Sequence, residues 1–96
     1  DVYVPNAFSP NRDGVNDHLV IYGGPEVTMI RNFRVFNRWG DLIFEQSTLS
    51  PNSNTNAWDG RFQGEILDNG VFVWSAEIEF IDGRVIPYSG DVLLLN

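Results

Sequence analysis

The sequence predicts an all-β domain, a two-layered antiparallel sandwich of about seven short strands. Three observations predict it. Apolar residues alternate with polar ones over much of the chain, which is the period of a strand with one buried and one wet face. Gly, Pro, Asn and Asp punctuate the chain at short intervals. No stretch carries the period of an amphipathic helix. A small barrel is the alternative architecture.

Val2-Tyr3-Val4 is a short strand ending at Pro5, and His18 to Tyr22 is a strand closed by Gly23-Gly24-Pro25. Met29 to Asn37 is a longer strand with Ile30, Phe33 and Val35 as core residues. Trp39-Gly40-Asp41 is a turn and Leu42-Ile43-Phe44 the returning strand, so Met29 to Phe44 is a hairpin. Ser47 to Asn56, rich in Ser, Thr, Asn and Pro, is a surface loop. Asp68-Asn69-Gly70 turns into the clearest strand, Val71 to Phe80. There Phe72, Trp74, Ala76, Ile78 and Phe80 share one face, and Ser75, Glu77 and Glu79 share the other, where the glutamates are expected to be simply solvated. Asp82-Gly83 marks a second hairpin. The return strand, Val85 to Leu95, carries Pro87, which marks an edge or a bulge, and Gly90 as a second irregularity. Its Val92 to Leu95 run is expected to be covered on both faces. The whole is of immunoglobulin-like type, one domain spanning 1–96.

Bulk composition narrows function. The apolar fraction of 43% and aromatic fraction of 14% support a folded core. The net charge of −7 repels phosphate backbones and anionic lipid, which argues against nucleic acid and direct membrane contact. All six basic residues are Arg. With no Cys there are no disulfides and no thiolate chemistry. The chain begins with Asp1 and reads as a piece of a longer protein.

Candidate chemistry is sparse. His18 is the single histidine, the serines lack a nucleophile-elbow setting, and no glycine-rich phosphate loop opens a helix. The chain therefore reads as a non-enzyme that requires no cofactor. The three tryptophans, Trp39, Trp58 and Trp74, could form a sugar-stacking platform or simply fill the core and its edges.

The stretch FSPNRDGVND offers one metal reading. Ser9, Asn11, Asp13, the Val15 carbonyl and Asp17 fall at positions 1, 3, 5, 7 and 9 of a calcium loop, with Gly14 at the sharp turn. Position 12 is Val20, so the usual bidentate Glu is missing. Any Ca²⁺ affinity should then be weak, on the order of 10⁻⁴ to 10⁻³ M. The other reading is a plain Pro-Asn-x-Asp-Gly turn.

Five blocks carry a resemblance that covers nearly the whole chain. They are Val4 to Asp17, the Phe36-Asn37-Arg38-Trp39-Gly40 block, Trp58-Asp59-Gly60, Gly70 to Trp74, and Gly90 to Leu95. In this order they resemble the gliding-motility-associated C-terminal domain, the type B sorting domain of the type IX secretion system. Arg12 stands where that family commonly has Gly. The resemblance implies a C-terminal address on a larger secreted protein, with cargo attached N-terminally. It implies transit through the periplasm, a dedicated outer-membrane partner protein, and a final place at the cell surface or outside the cell. The N-R-W-G turn sets Arg beside Trp, residue types that dominate interface hot spots. Asn37, Arg38, Trp39 and Gly40, with Trp58 and Asp59, are therefore the candidate partner-recognition residues. In the competing reading Trp39 packs over the sandwich end and Arg38 pairs with Asp41 or Asp59. An adhesion or carbohydrate-binding module is the alternative function.

Overall fold

The computed structural model describes residues 1–11 and 17–96. Among them nine strands and no helix are found: β1 (Val2–Tyr3), β2 (Ala7–Phe8), β3 (Tyr22–Gly23), β4 (Val27–Phe36), β5 (Leu42–Leu49), β6 (Arg61–Phe62), β7 (Glu65–Ile66), β8 (Gly70–Phe80) and β9 (Val85–Leu94). Four long strands and the short β2 form a five-stranded sheet in the order β2-β9-β8-β4-β5. Two two-stranded ribbons, β1-β3 and β6-β7, accompany it in a sandwich-like arrangement.

The period-two reading of β8 holds along its length. Phe72, Trp74, Ala76, Ile78 and Phe80 are all buried. Ile30, Phe33 and Val35 from β4 and Val92 and Leu94 from β9 join the same core, each without accessible surface. The spacing of the β4 core residues breaks strict alternation, because Ile30 and Phe33 are three apart. A bulge between Arg31 and Arg34 absorbs the extra residue, and Asn32 adopts a φ of 52° there. Asn tolerates this left-handed conformation better than a β-branched or bulky residue.

Several expectations need correction. His18 to Tyr22 is not a strand: only Tyr22 and Gly23 pair, with Tyr3 and Val2. Leu19, Val20 and Ile21 are instead buried consecutively, which no strand with a wet face could achieve. Leu19 makes an isolated bridge to Trp58, donating its N–H to the Trp58 carbonyl at 2.8 Å. The surface loop starts later than expected, since β5 carries Ser47 to Leu49 and Leu49 is buried. The last strand is covered on one face only: Leu93 and Leu95 are exposed while Val92 and Leu94 are not. The pairing of β8 with β9 is regular throughout, so Gly90 marks no irregularity, and Pro87 marks an edge stretch of β9 and not a bulge. One pairing is not antiparallel, since β2 runs parallel to β9.

Glu77 and Glu79 are also less free than their exposed face suggested. Arg31 meets Glu79 at 2.6 Å, and the Asn32 amide donates to Glu77 at 2.7 Å. With the Arg34–Glu45 pair at 2.8 Å, these make one end of the outer sheet face a charged lattice.

Candidate recognition surface at the β4-β5 turn

The β4-β5 turn is built around one side chain. Asn37 Oδ1 accepts the N–H of Trp39 at 3.0 Å and that of Asp41 at 2.9 Å. Its Nδ2 donates to Asp41 Oδ2 at 3.0 Å. The Asn37 backbone adds two more bonds, N–H to the Asp41 carbonyl and C=O from the Gly40 N–H, both 3.0 Å. Gly40 sits at a φ of 87°, where a Cβ would strain the backbone. Asn is suited to this because its amide mimics a backbone turn.

Such a turn fixes what it displays. Trp39 is 73% exposed at its tip. The Arg38 guanidinium lies over the indole, 4.8 Å from a ring centroid, as a cation–π contact. The carboxylates proposed for Arg38 are engaged elsewhere, Asp41 with Asn37 and Asp59 with Arg61. Beside the indole is a groove of about 230 Å³, lined in part by Trp39, Ile43, Leu67, Val71 and Phe72. Covering most of a Trp side chain would stabilise a complex by on the order of 4 kcal/mol before ordering costs.

The surface extends onto the outer sheet face. In register, Leu93 lies opposite Val71, Val73 opposite Phe36, and Phe36 opposite Leu42. Leu42, Val71, Val73 and Leu93 are exposed. This apolar band, at the turn end of the face, went unread in the sequence. Its signal was there: the outward residues of β8 run Val71, Val73, Ser75, Glu77, Glu79, apolar first and then polar.

Trp58 and Asp59 stand apart from the turn residues. Trp58 is fully buried between Phe8 and Phe72, with ring centroids 5.4 and 5.2 Å away. Its Nε1–H donates to the Arg61 carbonyl at 3.0 Å. Asp59 Oδ1 accepts the Arg61 N–H at 3.1 Å. Gly60 has a φ of 80°, and a Cβ there would meet Pro10 Cγ at 2.8 Å. The W-D-G block is thus a core plug with a tight turn behind it, and the Trp58 side chain offers a partner nothing to touch. Trp74 is buried too. The three-tryptophan platform is therefore not assembled: one ring faces out and two face in.

Of the calcium-loop residues, Asp13 and Val15 lie outside the described residues. Ser9 and Asn11 are joined by a backbone bond of 2.9 Å. Asp17 and His18 border a polar hollow of about 480 Å³ with Asn52, Ser53 and Asn54. Among the described residues, no group of three or more His, Cys, Asp or Glu side chains could hold a metal.

The domain is β-rich, and its outward chemistry includes a displayed Trp-Arg pair and an apolar band. Comparison with known families defines its class. The family model of the CHU_C Type IX secretion signal domain matches residues 2–92, and the chain belongs to that family. No curated protein matches it. The domain is therefore a secretion signal of the type IX system, acting on export toward the cell surface or the medium. This is not a family of enzymes.

Proposed function

We propose that this domain carries an N-terminally attached cargo through the periplasm and across the outer membrane, and that the Asn37–Gly40 turn is the part read by an outer-membrane protein of the machinery. One observation supports the turn above all others. A Trp exposed to 73% stands on a turn whose backbone is tied by two bonds to the Asn37 side chain. A pre-shaped turn lowers the ordering cost of binding. Trp58 and Asp59 act indirectly, by holding the core on which the turn is mounted.

The test is a secretion assay. A signal-peptide-bearing reporter is fused ahead of the domain in a bacterium with the type IX system and the outer-membrane partner. An isogenic strain lacking the system is the comparison. Export should depend on both domain and system. The double substitution Arg38→Ala/Trp39→Ala should lower export by roughly tenfold while the folded domain persists. Retention of the wild-type fusion would end the sorting reading; unchanged export of the double variant would remove the turn from it.

The sequence spacing also supports a weak Ca²⁺ loop at Ser9, Asn11, Asp13, Val15 and Asp17. Titration to about 10 mM Ca²⁺ should raise the Tm, and a flat response would remove the metal from the reading.

A further inference from the structure

The five-stranded sheet has two edges, and they are treated differently. The β9 edge is defended. β2 covers its end, where Leu93 N–H donates to the Asn6 carbonyl at 2.8 Å and Leu95 N–H to the Phe8 carbonyl at 3.0 Å. These bonds show that odd-numbered amides of β9 point outward. Pro87 is an odd position, so its missing N–H costs no bond to β8 and leaves a gap in the outer row.

Among the described residues the β5 edge has no such defence: nothing pairs with its outer side in the sheet order. Leu42 to Leu49 contains no Pro, Gly or Lys, and its single charge, Glu45, is tied to Arg34. Its irregularity lies near the turn, where Leu42 and Phe44 face successive residues of β4. Beyond it the strand is regular.

Which β5 groups face outward follows from alternation. The Phe80 N–H donates to the Arg84 carbonyl at 2.8 Å, and the β8-β9 pairing has no shift, so even β8 amides face β9 and odd ones face β4. Val73 and Ser75 lie opposite Phe36 and Arg34, so these two face β8 and Val35, between them, faces β5. Val35 lies opposite Phe44. Phe44 and Gln46 therefore point inward, and the N–H and C=O groups of Glu45 and Ser47 point out.

We infer that the outer edge of β5 pairs with an extended, neutral or basic strand of the secretion machinery, adding a sixth strand beside the Trp39 turn. This rests on the sorting reading above. Backbone groups in a row are matched by another extended backbone. Charge selects the kind of strand: two copies of this chain would each bring a net charge of −7 and a Glu45 to the same edge, so self-pairing is opposed. A strand without acidic residues meets no such barrier.

The test introduces Pro at outward positions, where it removes no backbone bond within the sheet; Glu45→Pro also removes the Arg34 ion pair, which Ser47→Pro leaves intact. Ser47→Pro and, as a second variant, Glu45→Pro are compared with Ser89→Pro on the β9 edge. All are assayed as fusions for export, and as purified domains for Tm and sedimentation. Ser47→Pro and Glu45→Pro should cut export by about fivefold or more, with Ser89→Pro near wild type and every Tm within about 5 °C. In vitro, a Thr/Val peptide of about nine residues flanked by Lys should perturb the β5 amides in NMR spectra, and its Glu-flanked counterpart should bind roughly tenfold more weakly. Folded β5 variants that export normally would overturn the proposal. So would equal loss in Ser89→Pro, no response of the β5 amides to the Lys-flanked peptide, or a domain dimer that Ser47→Pro dissolves. If the wild-type fusion itself is not exported, the sorting reading fails first, which the edge variants alone could not cause.

Discussion

Trp39 and Trp58 each sit in a short block beside a glycine and a charged residue, yet one is 73% exposed and the other fully buried. The difference lies in what precedes each ring. Trp39 follows Asn37, whose amide folds the chain into a turn beyond the end of β4, leaving the ring outside the core. Trp58 follows Ala57, itself buried, and is pinned by the Leu19 bridge over the open face of the sheet. The same side chain thus serves display in one block and cohesion in the other, and only position relative to the sheet decides which.

That contrast can be broken from either side. The largest effect belongs to Trp58→Ala, which leaves a cavity among Phe8, Leu19 and Phe72 and an unpaired Arg61 carbonyl. It should cost about 3–5 kcal/mol in urea unfolding, a large share of what a domain of this size possesses. Trp39→Ala, by contrast, should stay within about 0.5 kcal/mol of wild type. Equal losses at the two positions would mean that the blocks are not divided between core and display. Next comes Asn37→Ala, which removes the bonds shaping the display turn. A loss of about 1 kcal/mol is expected, together with a rise in the mobility of Trp39 measured by fluorescence anisotropy.

The smallest effect concerns the other hairpin. The β8-β9 turn is held by a carboxylate, not an amide: Asp82 accepts the Arg84 backbone N–H at 3.1 Å and its side chain at 2.7 Å. The backbone bond first, and the guanidinium after it, hold the Asp82 carboxyl below its ordinary range. A lowered folded-state value means the contribution is present above the unfolded value and lost as pH falls through the folded one. Thermal melts taken through the acid range should show a shallow loss of Tm that Asp82→Asn reduces. Asn37→Ala should leave that acid slope unchanged.

Much of the sheet was legible because β8 alternates without interruption and both hairpin turns carry Asp and Gly. The bulge at Asn32 was not, since a three-residue gap between Ile30 and Phe33 reads equally as a lapse in pattern. Leu19 to Ile21 misled for a related reason: a short apolar run has no period, so strand and plug look alike. On the surface, the turn residues were chosen by residue type, and Trp58 was placed with them because a block says nothing of burial. The undefended β5 edge could not be read before its neighbours were known, because an edge is a property of the sheet and not of the strand.

The parallel pairing of β2 with β9 has a mechanical consequence. The chain enters β2 at one end of that pair and leaves β9 at the other. A pull applied upstream of β2 and downstream of β9 therefore runs along the strands. It loads the Leu93–Asn6 and Leu95–Phe8 bonds together, in shear, instead of peeling them one after the other. A domain drawn through a machine by its two ends would have to break both bonds at once before β2 let go.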